Sequence, residues 1–111
     1  MSRETNEIFC PVAATNRLLG QKWTLEIVRS LIDGKQRFNE ISQALGGLNA
    51  RTLSARLRLL EDEGIVERKQ LASIPPWVEY KLTKKGKALN TVVESMAEWG
   101  RKWMKPPGGH K

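Results

Sequence analysis

The chain is poor in the residues that most site chemistry requires. Its 111 residues include one cysteine, Cys10, and one histidine, His110. A lone cysteine forms no intrachain disulfide, which fits a reducing compartment and gives the expectation of a cytoplasmic protein. A protein metal site takes about four ligands at set spacing, and these two residues do not make a Cys/His set, so no metal is expected. There is no Gly-rich phosphate loop. Cys10 has no histidine in an ordered segment to activate it. These shortages exclude the common enzyme classes and imply no cofactor. Apolar runs are also short. None approaches the roughly 20 residues that span a bilayer, so no membrane partner is expected. The opening stretch, Met1 to Phe9, carries Glu4 and Glu7 and lacks the apolar core of a secretory signal. No internal repeat is visible.

What the chain does have is positive charge. Lysine and arginine number 19 against 12 acidic residues, for a net charge of +7. A surplus of this size on a small domain favours a polyanionic partner, although ordinary soluble proteins and binders of anionic membranes share it. Hydrophobic residues make up 40%, enough for a packed core. The length suits one domain over residues 1–111, with tails at 1–9 and 105–111.

Cys10-Pro11 opens a helical pattern that Gly20 stops, since proline is tolerated at a first helical position. Trp23 to Ile32 reads as a second helix, with Trp23, Ile27 and Leu31 recurring at helical spacing. Arg37-Phe38 reads as a stub of strand. Asn39 is placed to cap a short third helix carrying Ile41, Ala44 and Leu45, and Gly46-Gly47 breaks it. Asn49 caps a fourth helix, Ala50 to Glu63, closed by a left-handed Gly64. Ile65 to Leu71 and Val78 to Leu82 read as strands around a loop containing Pro75-Pro76. Thr83 caps a long last helix, Lys84 to about Trp103, and the Pro106-Pro107-Gly108-Gly109 end is expected to fray. The fold class is therefore mainly α with a small β-hairpin. Two short helices across a Gly-containing turn, then a hairpin, is the layout of a winged helix-turn-helix.

On a helical wheel Leu53, Leu57 and Leu60 of the fourth helix share one stripe, with Ala50 close by, and anchor it in the core. Arg51, Ala55, Arg58 and Asp62 lie opposite, flanked by Thr52 and Arg56. The first two turns carry no carboxylate, while Glu61, Asp62 and Glu63 are held back to the last turn. That order opposes the helix macrodipole. It makes sense when the N-terminal half faces an anion. Arginine reaches guanine O6 and N7 with two bonds, and serine or threonine serves bases or phosphates. The candidate DNA-contacting residues on this helix are Asn49, Arg51, Thr52, Ser54, Ala55, Arg56 and Arg58. The hairpin adds Arg68, Lys69, Trp77 and Lys81, because basic wings touch phosphates or enter a minor groove. The plainer alternative is a solvated basic helix and a hairpin charged for solubility.

Leu89, Val92, Val93, Met96, Trp99 and Trp103 form a broad apolar face on the last helix. One protomer has already spent its core on the preceding elements. The face reads either as a homodimer interface, in which Leu89, Val93, Met96, Trp99 and Trp103 meet a second copy, or as intrachain core. A dimer suits a DNA reader, because two readers one helical turn apart match a palindrome.

The residues Cys10-Pro11, Gly20-Gln21-Lys22-Trp23, Arg37-Phe38-Asn39-Glu40-Ile41, Gly64-Ile65-Val66 and Pro75-Pro76-Trp77-Val78-Glu79-Tyr80-Lys81-Leu82-Thr83-Lys84-Lys85-Gly86 resemble the HxlR-type bacterial transcription regulators. The resemblance runs from about Cys10 to Gly100. It implies a winged helix-turn-helix homodimer on operator DNA, with the N- and C-terminal helices at the interface. It also implies an effector, a small reactive molecule or a metabolite, with the cysteine matching Cys10 as sensor in several members. This chain departs from the pattern at Trp77, where members commonly carry arginine or lysine. It also departs at Leu59, where many have an acidic residue, and at Ala50 and Ala55, where longer polar residues are frequent. Arg51, Arg56 and Arg58 are then left with a larger share of base reading.

Cys10 sits at a helix N-terminus, just before Pro11. It is either a redox or electrophile sensor, with any second thiol coming from another molecule, or a small hydrophobe packing an interface. The reading drawn from the sequence is a sequence-specific regulator on double-stranded DNA, a repressor that occupies a promoter. The rival is an architectural nucleic-acid-binding module with little sequence preference.

Overall fold

A computed structural model describes residues 8–73 and 77–106. Met1 to Glu7, the Pro75-Pro76 pair, Pro107 to Gly109 and His110 lie outside the described residues, so the expected tails and wing tip are described only in part.

The chain runs α1 (Pro11–Leu19), α2 (Thr24–Leu31), β1 (Gln36–Arg37), α3 (Phe38–Ala44), α4 (Ala50–Asp62), β2 (Val66–Leu71), β3 (Trp77–Leu82), α5 (Lys84–Lys87) and α6 (Asn90–Trp103). It is mostly helical, with a three-stranded antiparallel sheet of order β1-β3-β2. The stub of strand expected at Arg37-Phe38 forms one residue earlier, at Gln36–Arg37. Gln36 and Arg37 pair with Tyr80 and Glu79, which turns the hairpin into a sheet. Strand pairing also moves the start of the third helix. Phe38 is helical rather than part of the strand, and Asn39 lies inside α3 rather than capping it. Glu40 caps instead, its Oε1 accepting from the Arg37 N–H at 2.7 Å.

Trp23 is the other departure. It precedes α2 instead of opening it, and its backbone is left-handed, with φ 80° and ψ −10°. A bulky residue pays about 1–2 kcal/mol for that conformation. The ring packs partly buried against the core, and the Trp23 carbonyl accepts from the Ile27 N–H at 3.0 Å. Those contacts offset the strain.

The core is the leucine stripe of α4 and what it meets. Leu53, Leu57 and Leu60 are buried, together with Ile27, Val28, Leu31, Ile41, Ile65, Val66, Tyr80 and Leu82. Ala50 is exposed and takes no part in that anchor. Asn49 caps α4 as expected, its Oδ1 accepting from the Thr52 N–H at 2.9 Å. Gly64 takes φ 75° just past the helix, a conformation open to glycine.

The end of α4, which carries carboxylates against the dipole, is tied down from outside. Lys85 Nζ donates to the Glu63 carbonyl at 2.8 Å, and Thr83 Oγ1 donates to the Gly64 carbonyl at 2.5 Å. Thr83 also caps α5, accepting from the Gly86 N–H at 3.1 Å. Gly86 is pinned there, because a Cβ at this position collides with the Ile65 carbonyl. The last helix is therefore not continuous. The Leu89 N–H bonds to the Gly86 carbonyl at 3.0 Å, a tighter three-residue turn, and α6 starts beyond it. The docked first turn and the departing α6 are separate elements.

Candidate nucleic-acid interface

The segment α3-turn-α4 is a helix-turn-helix. Gly46 and Gly47, at φ 77° and 84°, make the turn between its helices. The Ser42 hydroxyl donates to the Leu48 carbonyl at 2.8 Å and closes it. With the inner stripe of α4 buried, geometry dictates what the outer face shows. Arg51, Ser54, Ala55 and Arg58 are exposed, and Thr52 and Arg56 are half-buried at the flanks. Their sharing of one face follows from helical spacing alone.

The structure divides the expected site into groups. Arg56 is partly occupied, since its Nε donates to the Lys22 carbonyl at 2.7 Å and ties α4 to the segment before α2. The Asn49 side-chain oxygen holds the cap of α4, and its amide N–H groups remain for a partner. On the sheet, register separates the wing residues. Arg68 pairs with Tyr80 on the face toward α4, whereas Lys69 and Lys81 lie on the opposite face, opposite Glu79 and Glu67. Trp77 shares that outer face by alternation along β3. Arg68 and Arg58 then line one open cleft of about 800 Å³ between α4 and the sheet, with Ser54, Ala55, Glu61 and Tyr80. Lys69, Trp77 and Lys81 are not brought into it.

The outer face is partly neutralised. Lys81 Nζ stands 3.8 Å from Glu67 Oε1, and Lys35 Nζ stands 3.6 Å from Glu79 Oε1. Both lysines are well exposed, so these pairs contribute at most about 1 kcal/mol each. A residue given no role from sequence stands here. The Arg37 guanidinium lies 4.3 Å from the centroid of the Trp77 ring. Only the pairing of β1 with β3 brings the two together, and no local pattern signals it.

Cys10 is exposed and free, and it caps α1. Its Sγ accepts from the Ala13 N–H at 3.4 Å. Beyond it, α1 and α6 flank an apolar groove of about 550 Å³ lined by Pro11, Val12, Leu19, Leu25, Val92 and Met96. Leu89 and Val93 pack partly buried on the core, whereas Met96, Trp99 and Trp103 are 54%, 59% and 63% exposed. The residues of the expected interface thus fall into two sets, an anchoring pair and an uncovered trio. Among the described residues no His/Cys/Asp/Glu group is placed to hold a metal, and no helix is long and apolar enough to cross a membrane.

The family described as HxlR-like helix-turn-helix matches residues 18–107. The chain belongs to that HxlR-like family. This HxlR-like chain is 40% identical over 94 residues to YdeP of Bacillus subtilis, named as an uncharacterized HTH-type transcriptional regulator, across 85% of this chain and 73% of YdeP. It superposes on the reduced form of the transcriptional regulator YodB from B. subtilis with a TM-score of 0.77 at 37% identity, covering 89% of this chain and 98% of YodB. For the redox regulator HypR in its oxidized form the TM-score is 0.80 at 40% identity, covering 87% and 100%. The HxlR-like chain is accordingly a helix-turn-helix transcription regulator with a winged fold, and its family is one of regulators rather than enzymes.

Proposed function

We propose that the protein is a cytoplasmic repressor that binds a palindromic operator as a homodimer. The face of α4 carries the reading. Arg51, Ser54 and Arg58 stand exposed over a fully buried leucine stripe, and no carboxylate interrupts them in the first two turns. Arg51 and Arg58 read base edges with bidentate bonds, and Ser54 and Thr52 serve bases or phosphates. Asn49 and Ala55 lie close to the same groove wall. Arg56, already bonded to Lys22, adds charge rather than readout. Arg68 meets a phosphate across the cleft from Arg58, Lys69 and Lys81 act from the outer side of the wing, and Trp77 stands on that same side without a charge.

The exposed trio Met96, Trp99 and Trp103, with the α1–α6 groove, supports a dimer built on the first and last helices. Cys10, exposed at the start of α1, is the sensor in this reading. Relatives are named as a redox regulator and as diamide-treated and quinone-bound forms. Modification of Cys10 shifts one subunit against the other, so two reading helices no longer match half-sites about 34–36 Å apart.

The test is a footprint on the DNA upstream of the neighbouring genes, with Arg51→Ala and Arg58→Ala beside the parent protein. One protected palindrome is expected, and each variant loses about 1–3 kcal/mol of specific binding while keeping its fold. Full operator affinity in both folded variants refutes α4 as the reader. Uniform protection without a preferred site marks an architectural protein instead.

A further inference from the structure

Of the wing residues offered by sequence, only Lys69 gives the outer face a cation with no carboxylate in ion-pair distance among the described residues. Lys81 faces Glu67, and Trp77 carries no charge. Arg37 alters that count. It belongs to β1, is exposed, and holds its guanidinium 4.3 Å from the Trp77 ring centroid. Glu79, its cross-strand neighbour, is engaged by Lys35 at 3.6 Å. Among the described residues no carboxylate forms an ion pair with the Arg37 guanidinium; Glu40 bonds only its backbone N–H. A guanidinium lying on an indole loses only the solvent over one flat face. The Arg37 N–H donors have no carboxylate partner among the described residues, and the ring contact restricts the side chain before any ligand arrives. Arg37 also stands directly before α3, the first helix of the helix-turn-helix, the element that crosses the DNA backbone in this motif.

We propose that Arg37 and Trp77 form one composite phosphate-binding unit, in which Trp77 positions and Arg37 contacts a backbone phosphate of duplex DNA beside the groove entered by α4. Trp77 is the positioning residue and supplies no contact of its own. The inference rests on the DNA-binding reading given above, and it assigns a contact to β1, a strand outside both the reading helix and the hairpin.

A phosphate contact is independent of sequence, so a short mixed-sequence DNA duplex is a sufficient probe. Its affinity is measured by fluorescence anisotropy across a salt series for the parent protein, Arg37→Ala, Arg37→Gln, Trp77→Ala and the Arg37→Ala/Trp77→Ala pair. Each phosphate contact contributes about 0.9 to the slope of log affinity against log salt, so losing one costs roughly eightfold at about 0.1 M salt and nothing near 1 M. Arg37→Ala and Arg37→Gln are expected to show both the eightfold loss and the shallower slope. Both variants keep the fold, because Glu40 uses only the Arg37 backbone amide and Arg37 lies outside the buried core. Trp77→Ala weakens binding less and keeps the slope. In the Arg37→Ala background it adds no further loss.

An unchanged slope in both Arg37 variants overturns the proposal, as does a Trp77→Ala effect of the same size with or without Arg37. Arg58→Ala, measured alongside, separates the two readings. If it weakens binding while the Arg37 variants do not, only the composite unit is wrong. If the parent protein binds no duplex at all, the parent reading falls with it.

Discussion

Replacing Trp99 by alanine asks whether α6 is an interface. The indole is 59% exposed in one protomer, and a tryptophan offers up to about 250 Å², so about 150 Å² is uncovered. At about 25 cal/mol per Å² its full burial contributes about 4 kcal/mol per subunit. Two-fold symmetry counts the loss twice. With only half of that area covered by the partner, the dimer loses about 4 kcal/mol, or about a thousandfold in dissociation constant. Sedimentation equilibrium at micromolar protein should therefore show a dimer for the parent chain and a largely monomeric Trp99→Ala variant. Its fold should persist, because α6 has no buried residue in the protomer and the core lies elsewhere. Operator affinity should fall in parallel, since each half-site is then bound alone. A parent chain that sediments as a monomer refutes the reasoning, and so does a Trp99→Ala variant that dimerises as tightly as the parent.

Gly86→Ala should destabilise the domain by about 2 kcal/mol, since its Cβ meets the Ile65 carbonyl and stands 3.1 Å from Leu82 Cδ2. Thermal unfolding followed by circular dichroism should show a melting temperature lower by about 10 °C, and an unchanged one would mean the α5 docking gives way freely. Cys10→Ser should keep α1, because serine is a strong N-cap and its hydroxyl replaces Sγ as acceptor for the Ala13 N–H. The variant should bind operator DNA and fail to release it with diamide. Release equal to that of the parent assigns the response elsewhere.

Much of this molecule was legible from local pattern. The stripe of Leu53, Leu57 and Leu60, the caps at Asn49 and Thr83, and the left-handed Gly64 all follow from interactions within a few residues along the chain. The same locality made the exposed basic face of α4 readable, because on a helix the buried stripe specifies its opposite. The helix start at Cys10-Pro11 belongs with these, although the Sγ cap itself came from the structure.

Contacts between distant segments were decided only by tertiary structure. A stub of strand at Arg37 was legible, but its partner was not: the β1–β3 pairing joins Arg37 to Trp77 and sets where α3 starts. Arg56 lost part of its freedom to a carbonyl far back in the chain at Lys22. Strand register put Arg68 in the cleft with Arg58 and sent Lys69 and Lys81 to the other face. The break before α6 arose because Gly86 is clamped against Ile65 while the rest of the helix leaves the core. Helical periodicity is written in residues three and four apart, so the sequence alone determined the helices and the face each presents. Pairing across a sheet and docking across a core depend on which surfaces meet after folding, and for those the amino-acid order carries no short-range signal.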